Sequence, residues 1–328
     1  MTNVQRIDAK ERDGVRKALS FAGLLVGSAA LTRPSAAGAK VFFDTDTYGD
    51  KELKIATVNK IKQKLRNAIL DDVTLAPDLL KLSLNDALSY NAATDDNGPN
   101  GSILFELDRE ENKGLKKAVE VIQKIKKELQ RTTSVSFSDL VAFGGAEALE
   151  TVGCDRVIVQ VGRTDAKKES GSDAKAIDWT NPSTQSATAA FTTAGLTSRE
   201  LVLLLGALGE ITRIVDETQA VAKEEESDED CGIDGCLPSV PSTFGSRDAM
   251  FGAKMGKADF SSKYLAQLQK NGKKGSPLEG LSGVIYGDEQ ARTFVQKYSN
   301  NDAAFKADVT ACYLALTQLG KAGTTRNS

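Results

Sequence analysis

Four cysteines and the absence of histidine from all 328 residues bound the chemistry open to this chain. Histidine titrates nearest neutral pH and is the commonest metal ligand. Its absence excludes Ser-His and Cys-His nucleophiles, His-bound zinc and a His-bound iron centre. Cys231 and Cys236 close a short C-x4-C loop, CGIDGC. A local disulfide is the expected reading for a translocated chain. Half of a zinc site is an alternative, without a second pair or a histidine to complete it. A redox pair calls for tighter spacing and basic neighbours, where this loop has carboxylates. Cys312 lies on an apolar helical stripe and reads as core. Cys154 follows a glycine at a helix end, with nothing beside it to activate a thiolate.

A second concentration of chemistry is the acidic run EEESDED, which contains Glu224, Glu225, Glu226, Asp228, Glu229 and Asp230. It is a candidate contact for a charged partner, inside a stretch (218–259) whose composition reads as a surface insertion. No spacing in the chain supplies a complete set of metal ligands. With 40% apolar residues, 27% charged residues and a net charge of -3, nothing favours nucleic acid or an anionic membrane as a general partner.

These residues sit in a pattern dominated by helices. Val58, Ile61, Leu65 and Ile69 recur every three or four residues between Lys51 and Leu70, the period of one helix face. From Gly114 to Arg131 the stripe is Leu115, Ala118, Ile122, Ile125 and Leu129, opposite lysines that read as solvated surface. Ser136 with Asp139 predicts an N-terminal cap. Thr197 with Glu200 predicts a capping box that opens ELVLLLGALGEI. The last helix is expected over Asp302–Leu319, stopping at Gly320. VIVQV, Val157 to Val161, is the best short strand candidate, and 165–186 reads as irregular, with the lone Trp179.

The N-terminus reads as a translocation signal. Arg16 and Lys17 precede the apolar run Ala18–Leu31, and Ala37-Gly38-Ala39 supplies a small-residue cleavage site. The run is shorter than the roughly 20 residues that span a bilayer. A leader over 1–39 and a single domain over 40–328 are the expected organisation, with a buried N-terminal helix as the alternative.

Four ordered stretches resemble the class I plant-type haem peroxidases, the ascorbate peroxidase family. They are APDLLKLSLNDALSYN (Ala76 to Asn91), NGPNGSILFEL with ENKGLKKAVEVI, SFSDLVAFGGAEALE with the later GRTD, and FTTAGLTSRELVLLLGALG with the segment Phe294 to Gly320. The resemblance implies a mostly α, plant-type haem peroxidase-like helical fold with few or no short strands. It also implies where the family's chemistry would lie, and there this sequence departs from the pattern. Lys81 stands for the distal Arg, Leu84 for the neighbouring aromatic, and Asn85 for the distal His. Leu208 stands for the axial His, Gly209 for the threonine after it, and Ser282 for the carboxylate behind it.

A carboxamide has no protonation near neutral pH with which to act as a base, and an alkyl side chain cannot ligate iron. The expectation is therefore no haem, no other cofactor and no catalytic residue, with Lys81, Leu84, Asn85, Leu208 and Ser282 marking a vacated pocket. LLKL-x-LNDA-x-x-Y and NG-x-NGSI are most similar to the haem-less lumenal branch of this family. That branch implies the chloroplast thylakoid lumen, a peripheral association with the lumenal surface of photosystem II or another thylakoid membrane complex, and an auxiliary role. The alternatives are a divergent haem peroxidase removing hydrogen peroxide and a small-molecule binder using the vacated pocket.

Overall fold

The computed structural model describes residues 45–130, 133–171, 174–228, 259–272 and 279–320. The chain separates into two compact units, 1–51 and 52–328. Only 45–51 of the first are described, as the opening turns of a helix, and all the other described residues belong to the second. The leader, Cys231, Cys236, Glu229 and Asp230 lie outside the described residues.

The elements are α1 Thr45–Asp71, α2 Leu75–Leu88, α3 Lys116–Leu129, α4 Phe137–Thr151, α5 Thr184–Thr193, α6 Ser198–Asp228, α7 Lys263–Asn271, α8 Glu279–Gly287, α9 Glu289–Tyr298 and α10 Asp302–Leu316. Two short 3₁₀ turns, Ser102–Phe105 and Glu110–Asn112, join α2 to α3. The described residues form no strand, and their sole bridge is between Asn91 and Asp96. The protein is mostly helical, as expected. No single described helix is long and apolar enough to cross a membrane.

Helices α2 and α4 pack along one another at the centre. Both are apolar nearly all round, the composition of a helix enclosed by others; in α4 every residue from Phe137 to Leu149 is buried. The close approach is allowed by Gly144, whose missing Cβ would lie 3.2 Å from Leu79 Cδ2. Ile61, Leu65 and Ile69 of α1 are each 0% exposed, which accounts for their four-residue spacing. The α3 stripe is buried as its period requires. Helix α6 packs on α2, α5, α7, α8, α9 and α10.

The expected caps form. The Ser136 hydroxyl accepts from Asp139 N at 3.0 Å, and the Glu200 carboxylate accepts from Thr197 N at 2.9 Å. Asp165 reinforces the first of these helix starts by accepting from Phe137 N and Ser138 N, each at 2.8 Å.

Three expectations need correction. Val157–Val161 is extended chain without a partner strand: Val157 and Val159 are buried and Ile158 is 73% exposed. Its alternation is one side facing core and the other facing solvent. The stretch from 218, read as a surface insertion, begins as helix, because α6 continues to Asp228 and carries Glu224, Glu225, Glu226 and Asp228 within it. Ala, Lys and Glu are strong helix formers, so AVAKEEESD prolongs the helix. Finally, α10 ends at Leu316, with Leu319 only partly buried beyond it.

Candidate functional site

Two of the sequence-selected residues, Leu84 and Asn85, lie on a buried part of α2 and are 0% and 3% exposed. Leu208 lies on α6 and Ser282 on α8, each 0% exposed. Direct packing of α2 on α6, and of α6 on α8, holds these positions in one connected core. Lys81 stands apart. It is part-exposed, and its ammonium donates to Asp78 Oδ1 at 3.0 Å, one turn earlier on the same helix. That ordinary surface pair is the role the structure assigns it.

Asn85 has the most informative surroundings. Its Oδ1 accepts from Ile177 N at 3.0 Å. Its Nδ2 donates to Ile177 O at 3.0 Å and to Asn112 Oδ1 at 2.9 Å, with Glu111 O farther off at 3.3 Å. A backbone amide can only donate, so the oxygen must face Ile177 N and the orientation of the carboxamide is settled. Asn112 is itself held by donation to Glu106 O at 3.0 Å. Both Asn85 protons are engaged and its oxygen already has a donor. No atom of this side chain is poised to take a proton from a substrate.

On the other side, Gly209 follows Leu208 and permits a close contact. A Cβ on Gly209 would lie 2.3 Å from the Tyr264 ring. The Tyr264 hydroxyl reaches Ser282 Oγ at 3.2 Å. Tyr264 is placed by Glu210, a fully buried carboxylate that accepts from Tyr264 N at 2.9 Å and Ser261 Oγ at 2.9 Å. Arg213 neutralises it through two hydrogen bonds, at 3.0 and 2.7 Å. A buried carboxylate needs such a fully bonded counter-ion.

These residues do not fit an iron porphyrin. Leu208 offers no ligand atom. Leu84, Ile177 and Leu208 are all 0% exposed, so no water-sized sphere reaches their side chains. The described cysteines do not substitute: burial pushes the Cys154 thiol up to about 11 and the Cys312 thiol up to about 12, far from a thiolate at neutral pH. Among the described residues, no group of three or more His, Cys, Asp or Glu side chains could hold a metal ion.

Sequence reasoning missed several residues that shape this region. Ile177 and Tyr264 carry no local signal for their roles. The buried Arg163–Asp139 pair, with Nη1 3.0 Å from Oδ1, could have been suspected from GRTD. The raised carboxyl of Asp86 had no sequence signal. It is 1% exposed, and burial raises its carboxyl to about 7, against the Gly101 and Ile103 amides that favour the charge.

A family description, Peroxidase, matches residues 61–301. The chain is similar to the "Thylakoid lumenal 29 kDa protein, chloroplastic" of Solanum lycopersicum, 33% identical over 153 residues. That match spans 44% of this chain and 43% of the relative, less than half its length. It is similar over more of its length to the "Probable L-ascorbate peroxidase 3, peroxisomal" of Oryza sativa subsp. japonica. There it is 25% identical over 268 residues, 81% of this chain and 80% of that one. Among solved structures, the crystal structure of the TL29 protein from Arabidopsis thaliana shares the fold. Its TM-score is 0.54 at 22% identity, covering 83% of this chain and 96% of that one.

Proposed function

We propose that this chain, which belongs to the peroxidase family, keeps the family's fold as a haem-free, non-catalytic protein of the chloroplast thylakoid lumen. Its role is structural or auxiliary, as a peripheral protein on the lumenal surface of a photosystem, photosystem II in the first place. Similarity to a thylakoid lumenal protein supports the compartment. The observation that carries the loss of chemistry is the environment of Asn85. A side chain where a general base would stand is instead saturated by Ile177 and Asn112. Leu208, without a donor atom, agrees with it across the core. Fold alone does not establish activity, and here the groups that would perform it are absent.

Two measurements test this reading. Titration of the purified protein with haemin is expected to give no stoichiometric Soret band and no peroxide turnover; a band with turnover would overturn it. The protein is expected to stay with photosystem II particles after mild detergent and to leave them as salt is raised, since exposed charge contacts are screened. Recovery only in the unbound fraction at low ionic strength would remove the photosystem assignment.

The second reading, a divergent peroxidase, is favoured by the nearly full-length similarity to an ascorbate peroxidase. The same haemin titration decides between the two. A small-molecule binder in the former pocket is disfavoured by the complete burial of Leu84 and Leu208.

A further inference from the structure

The segment 174–182 leads into α5 without helix or strand of its own. Within it Ile177 is the only buried residue; its neighbours, Trp179 among them, are partly or fully exposed. Its internal order is local: Asp178 Oδ1 accepts from Thr180 N at 2.9 Å and from Asn181 N at 3.1 Å, an Asx turn. Among the described residues, the hydrogen bonds that tie 174–182 to another element are those between Ile177 and Asn85. Ile177 and its amide pair with Asn85, with the partial packing of Trp179 on the core and of Pro182 beside Gly280, hold the segment down.

We propose that residues 174–182 are a lid over the buried face of α2, latched by Asn85 through Ile177. The carboxamide matches a peptide group in donor and acceptor geometry, so it pairs with both backbone groups of Ile177 at once. Asn112 holds it in the orientation that makes this pairing. A segment outside helix and strand, with Ile177 as its one fully buried side chain, opens more easily than the helices beneath it. Asn85 is thus a positioning residue, and its exchange for a smaller or differently shaped side chain releases the lid without unravelling α2. The inference stands apart from the haem-free reading, which the haemin titration of the unaltered protein tests separately.

Trp179, the only tryptophan, lies two residues from the latch and reports on it. In the full chain, Asn85→Ala is expected to raise hydrogen exchange at the Ile177 amide and acrylamide quenching of Trp179. The exchange should rise about thirtyfold, as for two lost hydrogen bonds of ordinary strength. Ile177→Ala removes the peg and leaves Asn85 intact, and it should have the same effect. Ser83→Ala is the control. Its hydroxyl bonds Tyr313 at 2.7 Å and not the segment, so it should lower the thermal midpoint while leaving both lid readouts unchanged. If Asn85→Ala does not fold, the Ile177→Ala result decides. Unchanged exchange and quenching in the foldable latch variants, or an equal change in Ser83→Ala, would overturn the lid.

Discussion

Asp86 and Gly101 meet where α2 supports the turn before Ser102–Phe105: one carboxylate oxygen accepts the Gly101 amide at 3.0 Å, and the other is buried without a hydrogen-bond partner. Gly101 has φ +76°, and a Cβ there would lie 2.9 Å from Phe137 Cδ1. Only glycine combines that backbone with that approach. The site thus joins α2, the turn and the start of α4.

Burial makes Asp86 titrate at about 7 in the folded chain, against an ordinary value of 3.8. A carboxyl with a raised folded pKa binds more protons folded than unfolded between those two values. Its contribution is therefore fully present below about 3.8 and is lost as pH rises through about 7. Denaturant unfolding should show this part of the stability falling by a few kcal/mol, to order of magnitude, from pH 5 to pH 8. Asp86→Asn, which keeps an acceptor for Gly101, should flatten the profile relative to the unaltered protein. An identical slope in both would refute the assignment.

Gly209 predicts a steric coupling. Gly209→Thr places a Cβ about where the Tyr264 ring already lies. It should cost roughly 2–3 kcal/mol, as overpacking does in a filled core. Adding Tyr264→Ala should recover part of that loss, so that the pair costs less than the sum of the two single changes. Thermal unfolding of the four-protein cycle measures the coupling, and strict additivity would show that the two sites are independent.

Glu147 depends on Lys62. The carboxylate is 0% exposed, Lys62 Nζ lies 3.1 Å from one oxygen, and Arg66 Nε lies 3.2 Å from the other. Desolvation raises Glu147 above its ordinary value despite these cations. Lys62→Met should destabilise the protein by about 3 kcal/mol at pH 7, because it leaves buried charge under-compensated. The loss should shrink towards pH 5 as Glu147 takes up a proton. A loss that is the same at both pH values would exclude this cause.

Restoring one histidine should not restore the cofactor. Leu208→His puts a polar ring at a position with 0% exposure. It should lower stability by about 2–4 kcal/mol, the scale of burying an unpaired polar group and disturbing packing. Titration with haemin should still give no stoichiometric Soret band. A five- or six-coordinate haem spectrum from this single change would show that the space remains open.

Much of the helical frame was legible because its signals are local. The α3 stripe and the Ile61–Leu65–Ile69 series follow the helix period, and Ser136 and Thr197 announce helix starts through neighbours three residues away. The misread Val157–Val161 alternation shows the limit of such patterns. A side that alternates between core and water looks the same with or without a partner strand. The extension of α6 to Asp228 was missed for a related reason: the composition of 218–259 suggested a surface insertion, while the residues at its start are good helix formers.

The sequence by itself determined that histidine chemistry is closed to this chain. No histidine exists to act as base or ligand, and the residue types at 85 and 208 need no coordinates to be read. Only the tertiary structure decided what those positions do instead. Asn85 meets Ile177 across 92 positions of sequence, and Gly209 receives the ring of Tyr264 after an intervening segment. Such pairings depend on which surfaces the packed helices bring together, and hydrogen bonding and close packing act between neighbours in space, whatever their separation along the chain.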